Sequence, residues 1–206
     1  MKPHIDYSIY LVADRGNLTP AELLTRTEAA LRGGVTLVQY RDKQAEGKEM
    51  YELALKLQKL CAAFNVPFLV NDRIDIAMAV QADGVHLGQD DIPCEVARKL
   101  LGKDAIIGIS AHNACEARAA EAAGADYLGC GAIAATATKP DCSVLGLDGL
   151  KKIRWAVQIP FVGIGGINQD NYLLVRQSGA AGCAIVSAIL QAKDVEQAAA
   201  TFKHLR

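Results

Sequence analysis

Three kinds of chemistry-bearing residue stand out in this chain, and each follows a short apolar run. The densest group is Thr136-x-Thr138-Lys139, past the apolar stretch that begins at Tyr127. Two hydroxyls, bare backbone amides and an ammonium in so short a segment suit an anion such as phosphate or pyrophosphate. A polar surface loop is the plain alternative. Gln39, Arg41 and Lys43 alternate in sequence and so share one side of a strand. Two cations there repel unless an anion lies between them, or unless each is paired with its own carboxylate. Carboxylates follow two further apolar runs, in Asn71-Asp72-Arg73 and in Gly88-Gln89-Asp90-Asp91. Asp72 with one of Asp90 or Asp91 would suit Mg²⁺, which takes a few carboxylate oxygens and completes its shell with water and substrate phosphate. Asp91 stands two residues before Pro93, where a helix N-cap belongs, so capping is an equal reading of it.

Other polar positions weigh differently. Ser110 is followed by Ala111-His112-Asn113, but no G-x-S-x-G elbow surrounds it, and a nucleophilic serine is not expected. Asn113 as the cap of the next helix is the simpler use of that turn, with His112 as an acid-base alternative. His86 lies inside an apolar strand and reads as a core or supporting histidine. His4 and His204 are near the termini and read as solvated. Gly163-Ile164-Gly165-Gly166-Ile167 precedes a helix, where bare amides can approach a phosphate, and the amides of Val186-Ser187 could complete the same cup. Two anion sites and a cation site are thus implied. That combination suits pyrophosphate as a leaving group, with metal and lysine stabilising the developing charge.

Scattered residues can share a site only if the fold brings strand ends together. Apolar runs at Ser8–Asp14, Thr36–Arg41, Phe68–Val70, Gly84–Leu87, Ala105–Ser110, Tyr127–Ile133, Phe161–Ile164 and Cys183–Ser187 read as strands. Helical patterns separate them: one opened by Pro20 with Thr19 as cap and closed by Gly33-Gly34, one carrying Leu53, Leu57 and Leu60, then Ile74–Val80, one begun by Pro93, Ala114–Ala123, Leu147–Val157, one capped by Asn168, and a last helix to the C-terminus. Continuously apolar strands alternating with helices indicate a parallel sheet covered on both faces. Eight such units predict an α/β fold closed as a single (β/α)8 TIM barrel, with a doubly wound open sheet as the alternative. In a barrel, every strand delivers its C-terminal end to one face.

The chain of 206 residues is 51% hydrophobic with a formal charge of −1. One domain over residues 1–206 is expected. The near-neutral balance gives no reason to expect nucleic acid or an anionic membrane as partner. No apolar run approaches the ~18 residues of a membrane helix, and the first residues lack the long apolar core of a signal peptide. The six cysteines form no C-x-x-C pair and sit mostly among small apolar residues, which fits a reducing cytoplasm rather than a disulfide framework or zinc site. The oligomeric state is open, with a homodimer among the options.

Seven segments in order resemble the thiamine phosphate synthase family: QYRDK (Gln39–Lys43), VNDR (Val70–Arg73), ADGVHLGQDD (Ala82–Asp91), IGISAHN (Ile107–Asn113), Thr136-x-Thr138-Lys139, VGIGGI (Val162–Ile167) and IVSAI (Ile185–Ile189). The resemblance implies a (β/α)8 barrel that couples 4-amino-5-hydroxymethyl-2-methylpyrimidine diphosphate to 4-methyl-5-(2-hydroxyethyl)thiazole phosphate. The products are thiamine phosphate and pyrophosphate, formed by a dissociative route that needs no protein nucleophile. It implies Mg²⁺ on Asp72 and Asp91. It places Gln39, Arg41, Lys43, Asn71, Ser110 and Lys139 around the pyrimidine diphosphate, and Thr136, Thr138, Gly166, Val186 and Ser187 around the thiazole phosphate. Arg41, Lys43, Ser110 and Lys139 are the implied catalytic groups. One stretch departs from the family's usual G-P-I-(Phe/Tyr)-P-T: here Gly131-Ala132-Ile133-Ala134-Ala135-Thr136 replaces two prolines and an aromatic with alanine. A looser loop follows, since proline restricts the backbone. The competing readings are a thiazole tautomerase on the same barrel, which would not need the metal-and-pyrophosphate set, and a non-catalytic phosphate-binding barrel.

Overall fold

The computed structural model describes residues 5–135 and 144–206. Eight parallel strands close into a barrel in sequence order, β8 pairing with β1. They are β1 (Ile9–Asp14), β2 (Leu37–Arg41), β3 (Phe68–Asn71), β4 (Gly84–Leu87), β5 (Ile106–Ala111), β6 (Tyr127–Gly131), β7 (Phe161–Ile164) and β8 (Gly182–Ile185). The helices between and after them are α1 (Pro20–Arg32), α2 (Gly47–Ala63), α3 (Ile74–Ala79), α4 (Cys94–Leu101), α5 (Ala114–Ala122), α6 (Gly146–Ala156), α7 (Gln169–Gln177), α8 (Ser187–Leu190) and α9 (Val195–His204). The closed barrel is the expected fold, and the open sheet is set aside.

Local chemistry explains where the helices begin. Thr19 caps α1 in a reciprocal box with Glu22, and Pro20 takes the first helical position, where its missing N–H costs nothing. Asn168 caps α7, and Asn113 caps α5 by accepting from the amides of Cys115 and Glu116. Two strands stop two residues short of their expected ends. β6 stops at Gly131 because the apolar residues beyond it, Ala132 and Ile133, turn back onto the β7 end: Ile133 N–H donates to the carbonyls of Ile164 and Gly165. β8 stops at Ile185, where its pairing with Leu11 ends, and Ser187 opens the short α8 instead of closing the strand. Apolar character outlasts strand pairing in both places.

Two apolar cores result. The larger lies between the barrel and its helices, with Leu23, Leu57, Tyr172 and Phe202 wholly buried. The smaller fills the barrel itself, with Tyr7, Tyr10, Val12, Leu37, Leu69, Ile106, Tyr127, Val162 and Ala184. Cys61, Cys130 and Cys183 are buried among these side chains, and burial pushes their thiols up to about 12. Among the described residues, no helix is long and apolar enough to cross a membrane.

Candidate active site

The strand ends open into a cavity of about 320 Å³. It is lined by Gln39, Arg41, Lys43, Asn71, Asp72, Asp91, Ser110, Gly166, Val186 and Ser187, among others. These come from six different strand ends, brought together by closure of the barrel. Thr136, Thr138 and Lys139 lie outside the described residues.

The carboxylates form the sharpest arrangement. Asp72 takes a left-handed backbone (φ 60°), a conformation Asp tolerates better than most residues. Its amide donates to the His86 carbonyl, tying the end of β3 to β4. Asp91 is not a helix cap. α4 begins after Pro93 without any side-chain cap, and the Asp91 carboxylate instead accepts from the Gly88 amide at 2.6 Å, closing its own turn. That turn brings Asp91 against Asp72. Burial, then the neighbouring Asp72 carboxyl, push the Asp91 carboxyl above its ordinary range, although the Gly88 amide and Lys43 pull the other way. Two carboxylates facing one another repel when both are ionised, and Lys43 pairs with Asp72 of the two. A divalent cation would relieve that repulsion, so the pair fits Mg²⁺, with room for water or substrate oxygens in the open cavity. Asp90 also lines the cavity. Among the described residues, no group of three or more His, Cys, Asp or Glu side chains is placed to hold a metal by itself. Mg²⁺ would therefore need substrate oxygens, as its preference for few protein ligands allows.

Of the two arrangements open to the cations, the structure shows the one in which each is ion-paired with a carboxylate. Arg41 is ion-paired with Asp14, which stands beside it in the β1–β2 register. Lys43 is ion-paired with Asp72. Each cation thus has a carboxylate of its own, and Lys43 links the basic side of the cavity to the acidic pair. Asp14 was missed as a site residue, although its place at the end of the first strand was a usable signal.

Beneath the cavity runs a line of polar contacts. Gln39 donates to the Tyr10 hydroxyl. Tyr10 and Tyr127 share a hydrogen bond of 2.7 Å, Tyr127 Oη lies 2.9 Å from His86 Nδ1, and His86 Nε2 lies 3.1 Å from Ser110 Oγ. Gln89 closes over this end by donating to the Ser110 carbonyl at 2.6 Å. His86 is buried, as its strand position suggested. Tyr10 and Tyr127 were passed over as apolar residues, yet a buried phenol needs a partner, and that was the available clue. His112 also faces the cavity. Its ring and amide both bond Glu116, whose carboxyl is pushed up by burial but held below its ordinary range by those hydrogen bonds.

Across the cavity, Gly165 (φ 87°) and Gly166 (φ 69°) make consecutive left-handed turns before α7. A Cβ on Gly165 would lie 2.8 Å from the Ala132 Cβ, and one on Gly166 2.8 Å from the Ala134 Cβ and carbonyl oxygen. The alanine stretch therefore packs directly on the glycine turn, and both contribute to the same wall.

The thiamine monophosphate synthase family model matches residues 9–189. The chain belongs to the thiamine monophosphate synthase family. It is 50% identical over 196 residues to a thiamine-phosphate synthase of Clostridium acetobutylicum, covering 95% of this chain and 93% of that one. It is 50% identical over 202 residues to a thiamine-phosphate synthase of Chloroflexus aurantiacus, covering 98% and 93%. The solved structure of thiamine phosphate pyrophosphorylase from Pyrococcus furiosus superposes with a TM-score of 0.89 at 41% identity, covering 97% of this chain and 95% of that one. The thiamine monophosphate synthase resemblance of the seven strand-end segments thus holds over nearly the whole chain.

Proposed function

We propose that the chain acts as one catalytic domain in the cytoplasm, joining 4-amino-5-hydroxymethyl-2-methylpyrimidine diphosphate to 4-methyl-5-(2-hydroxyethyl)thiazole phosphate. Pyrophosphate departs and thiamine phosphate forms. The observation that carries this reading is full-length similarity at 50% identity to thiamine-phosphate synthases. The Asp72–Asp91 pair beside Lys43 supports it, being the feature a tautomerase would not need.

In this reading Asp72 and Asp91 would hold Mg²⁺, and the ion would supply positive charge beside the diphosphate. Arg41, Lys43 and Lys139 surround the diphosphate with positive charge. Asp14 keeps the Arg41 guanidinium oriented, and Asp72 does the same for Lys43. Gln39 and Asn71 orient the pyrimidine, and Ser110 offers a hydroxyl near the departing oxygen. Thr136 and Thr138, with the turn at Gly166 and the Val186–Ser187 segment, receive the thiazole phosphate. The protein supplies position and charge rather than a nucleophile, as a dissociative reaction requires.

The test is thiamine phosphate formation from the two purified substrates, with and without Mg²⁺, in the wild type and in Asp91→Ala. Metal-dependent product is expected, with a fall of about 100-fold or more in Asp91→Ala at unchanged fold. Undiminished coupling in that variant would remove the metal assignment. No product from the wild type, with thiazole phosphate still bound, would turn the reading to the tautomerase or to a binding protein.

A further inference from the structure

The line of side chains beneath the cavity has a direction, and its direction decides what Ser110 can do. A hydroxyl carries one proton and a neutral imidazole carries one, so each member of the line can donate only once. Tyr10 and Tyr127 are buried, and a buried proton needs an acceptor, so fixing one donor fixes the rest. Gln39 Nε2 faces the Tyr10 hydroxyl, and an amide nitrogen only donates. Tyr10 must then direct its proton to Tyr127, and Tyr127 must direct its own to His86 Nδ1. Nδ1 is thereby the accepting nitrogen, the ring proton sits on Nε2, and Nε2 donates to Ser110 Oγ. Ser110 is left with its proton to give, and it faces the cavity.

We infer that Tyr10, Tyr127 and His86 are positioning residues that hold Ser110 as a hydrogen-bond donor toward the departing diphosphate oxygen; the identity of that acceptor rests on the coupling reaction proposed above. The site is built for the two large rings. A Cβ on Gly108 would lie 2.1 Å from the Tyr127 ring, and one on Gly129 would lie 2.8 Å from His86 Cε1. Both strands thus carry glycine where the line passes. Burial pushes the pKa of Tyr10 and Tyr127 well above that of an ordinary phenol, so both keep the protons the line requires. The opposite polarity is chemically distinct. With the Gln39 oxygen facing Tyr10, every donor reverses, His86 carries its proton on Nδ1, and Ser110 donates to Nε2. That is the arrangement of an activated nucleophile. A leaving diphosphate calls for a donor instead.

The two polarities differ in the tautomer of one histidine. Two-bond ¹⁵N–¹H correlation spectra of the ¹⁵N-labelled, ligand-free protein read that tautomer directly, with the His86 signals identified by their loss in His86→Gln. The expected result is the Nε2–H form in the wild type and a mixture of tautomers in Tyr127→Phe, where Nδ1 has lost its donor. Tyr127→Phe keeps the ring packed against Tyr7, whose centroid is 4.9 Å away. Its kcat should fall about tenfold with KM for the pyrimidine diphosphate within about twofold, as expected for losing one positioned donor. Tyr10→Phe should show the same kinetic pattern. A wild-type Nδ1–H tautomer, or wild-type kcat in both phenylalanine variants, would overturn the inference. A wild type that does not couple the substrates would sink the functional reading, while the spectra would still decide the polarity.

Discussion

Asp91 shows how a single carboxyl can be read two ways and how the structure sets one of them aside. Its turn with Gly88 holds it against Asp72, and burial with that neighbour raises its proton affinity in the folded state. The folded chain therefore binds more protons than the unfolded chain in a window just above the ordinary carboxylate range. In that window, metal-free stability rises as pH falls, and at neutral pH the ionised Asp91 is a cost. Mg²⁺ should remove that cost by replacing the proton. Thermal melts of the wild type should therefore shift upward with Mg²⁺, by about 1.4 kcal/mol at ten times Kd, or roughly 3–6 °C. Asp91→Asn keeps an oxygen for the Gly88 amide and loses the charge. It should melt no lower than the wild type without metal and gain nothing when Mg²⁺ is added; a full metal-induced shift in this variant would contradict the pairing. Sequence could narrow the metal partner of Asp72 to two residues but not choose, because position 91 suited a cap as well. Only the uncapped start of α4 removes that alternative. Asp14 and Tyr10 were harder to see, since an acid at a strand end and a tyrosine in an apolar run each look ordinary without their partners.

At the scale of elements, alternation of apolar runs and helical patterns was enough to find all eight strands, since each is buried on both sides and reads as a continuous run. What it could not find is where pairing stops. Beyond Gly131 and Ile185 the residues stay apolar but leave the ladder, and the site is built from those departures. The Gly165–Gly166 turn is the clearest case. Its left-handed backbone and its contact with Ala132 leave no room for a side chain. Gly165→Ala meets Ala132 Cβ and Cα at 2.8 and 2.9 Å and adopts a disfavoured φ as well. The expected loss is about 2 kcal/mol or more. Because the β6 and β7 ends are laced together by Ile133 and Ala134 amides, the displacement should reach the cavity wall. Activity assays should show a raised KM for the thiazole phosphate beyond the change for the pyrimidine diphosphate. Equal changes for both substrates would mean that the turn does not belong to the phosphate end of the site.

The whole barrel separates its two cores by task, and the separation can be tested. Phe202 lies in the outer core, wholly buried with its ring 5.5 Å from Tyr172, on the helix that packs against α1 near the β8–β1 seam. Phe202 does not itself line the cavity. Val12 lies in the inner core and also lines the cavity. Phe202→Ala should cost about 3–5 kcal/mol through the void it leaves, lowering Tm by about 10 °C. Molecules that remain folded should turn over at the wild-type kcat with unchanged KM, since the site rests on strand ends and the inner core. Val12→Ala removes less volume and should cost less stability, yet it should change KM, because its loss alters both the inner packing and the cavity floor. Far-ultraviolet circular dichroism is the appropriate probe for the melts, because the single tryptophan, Trp155, is 88% exposed and reports little on burial. If Phe202→Ala slowed the folded fraction as much as it lowered Tm, the outer helices would be holding the strand ends in place rather than merely holding the fold together, and the division between the two cores would fail.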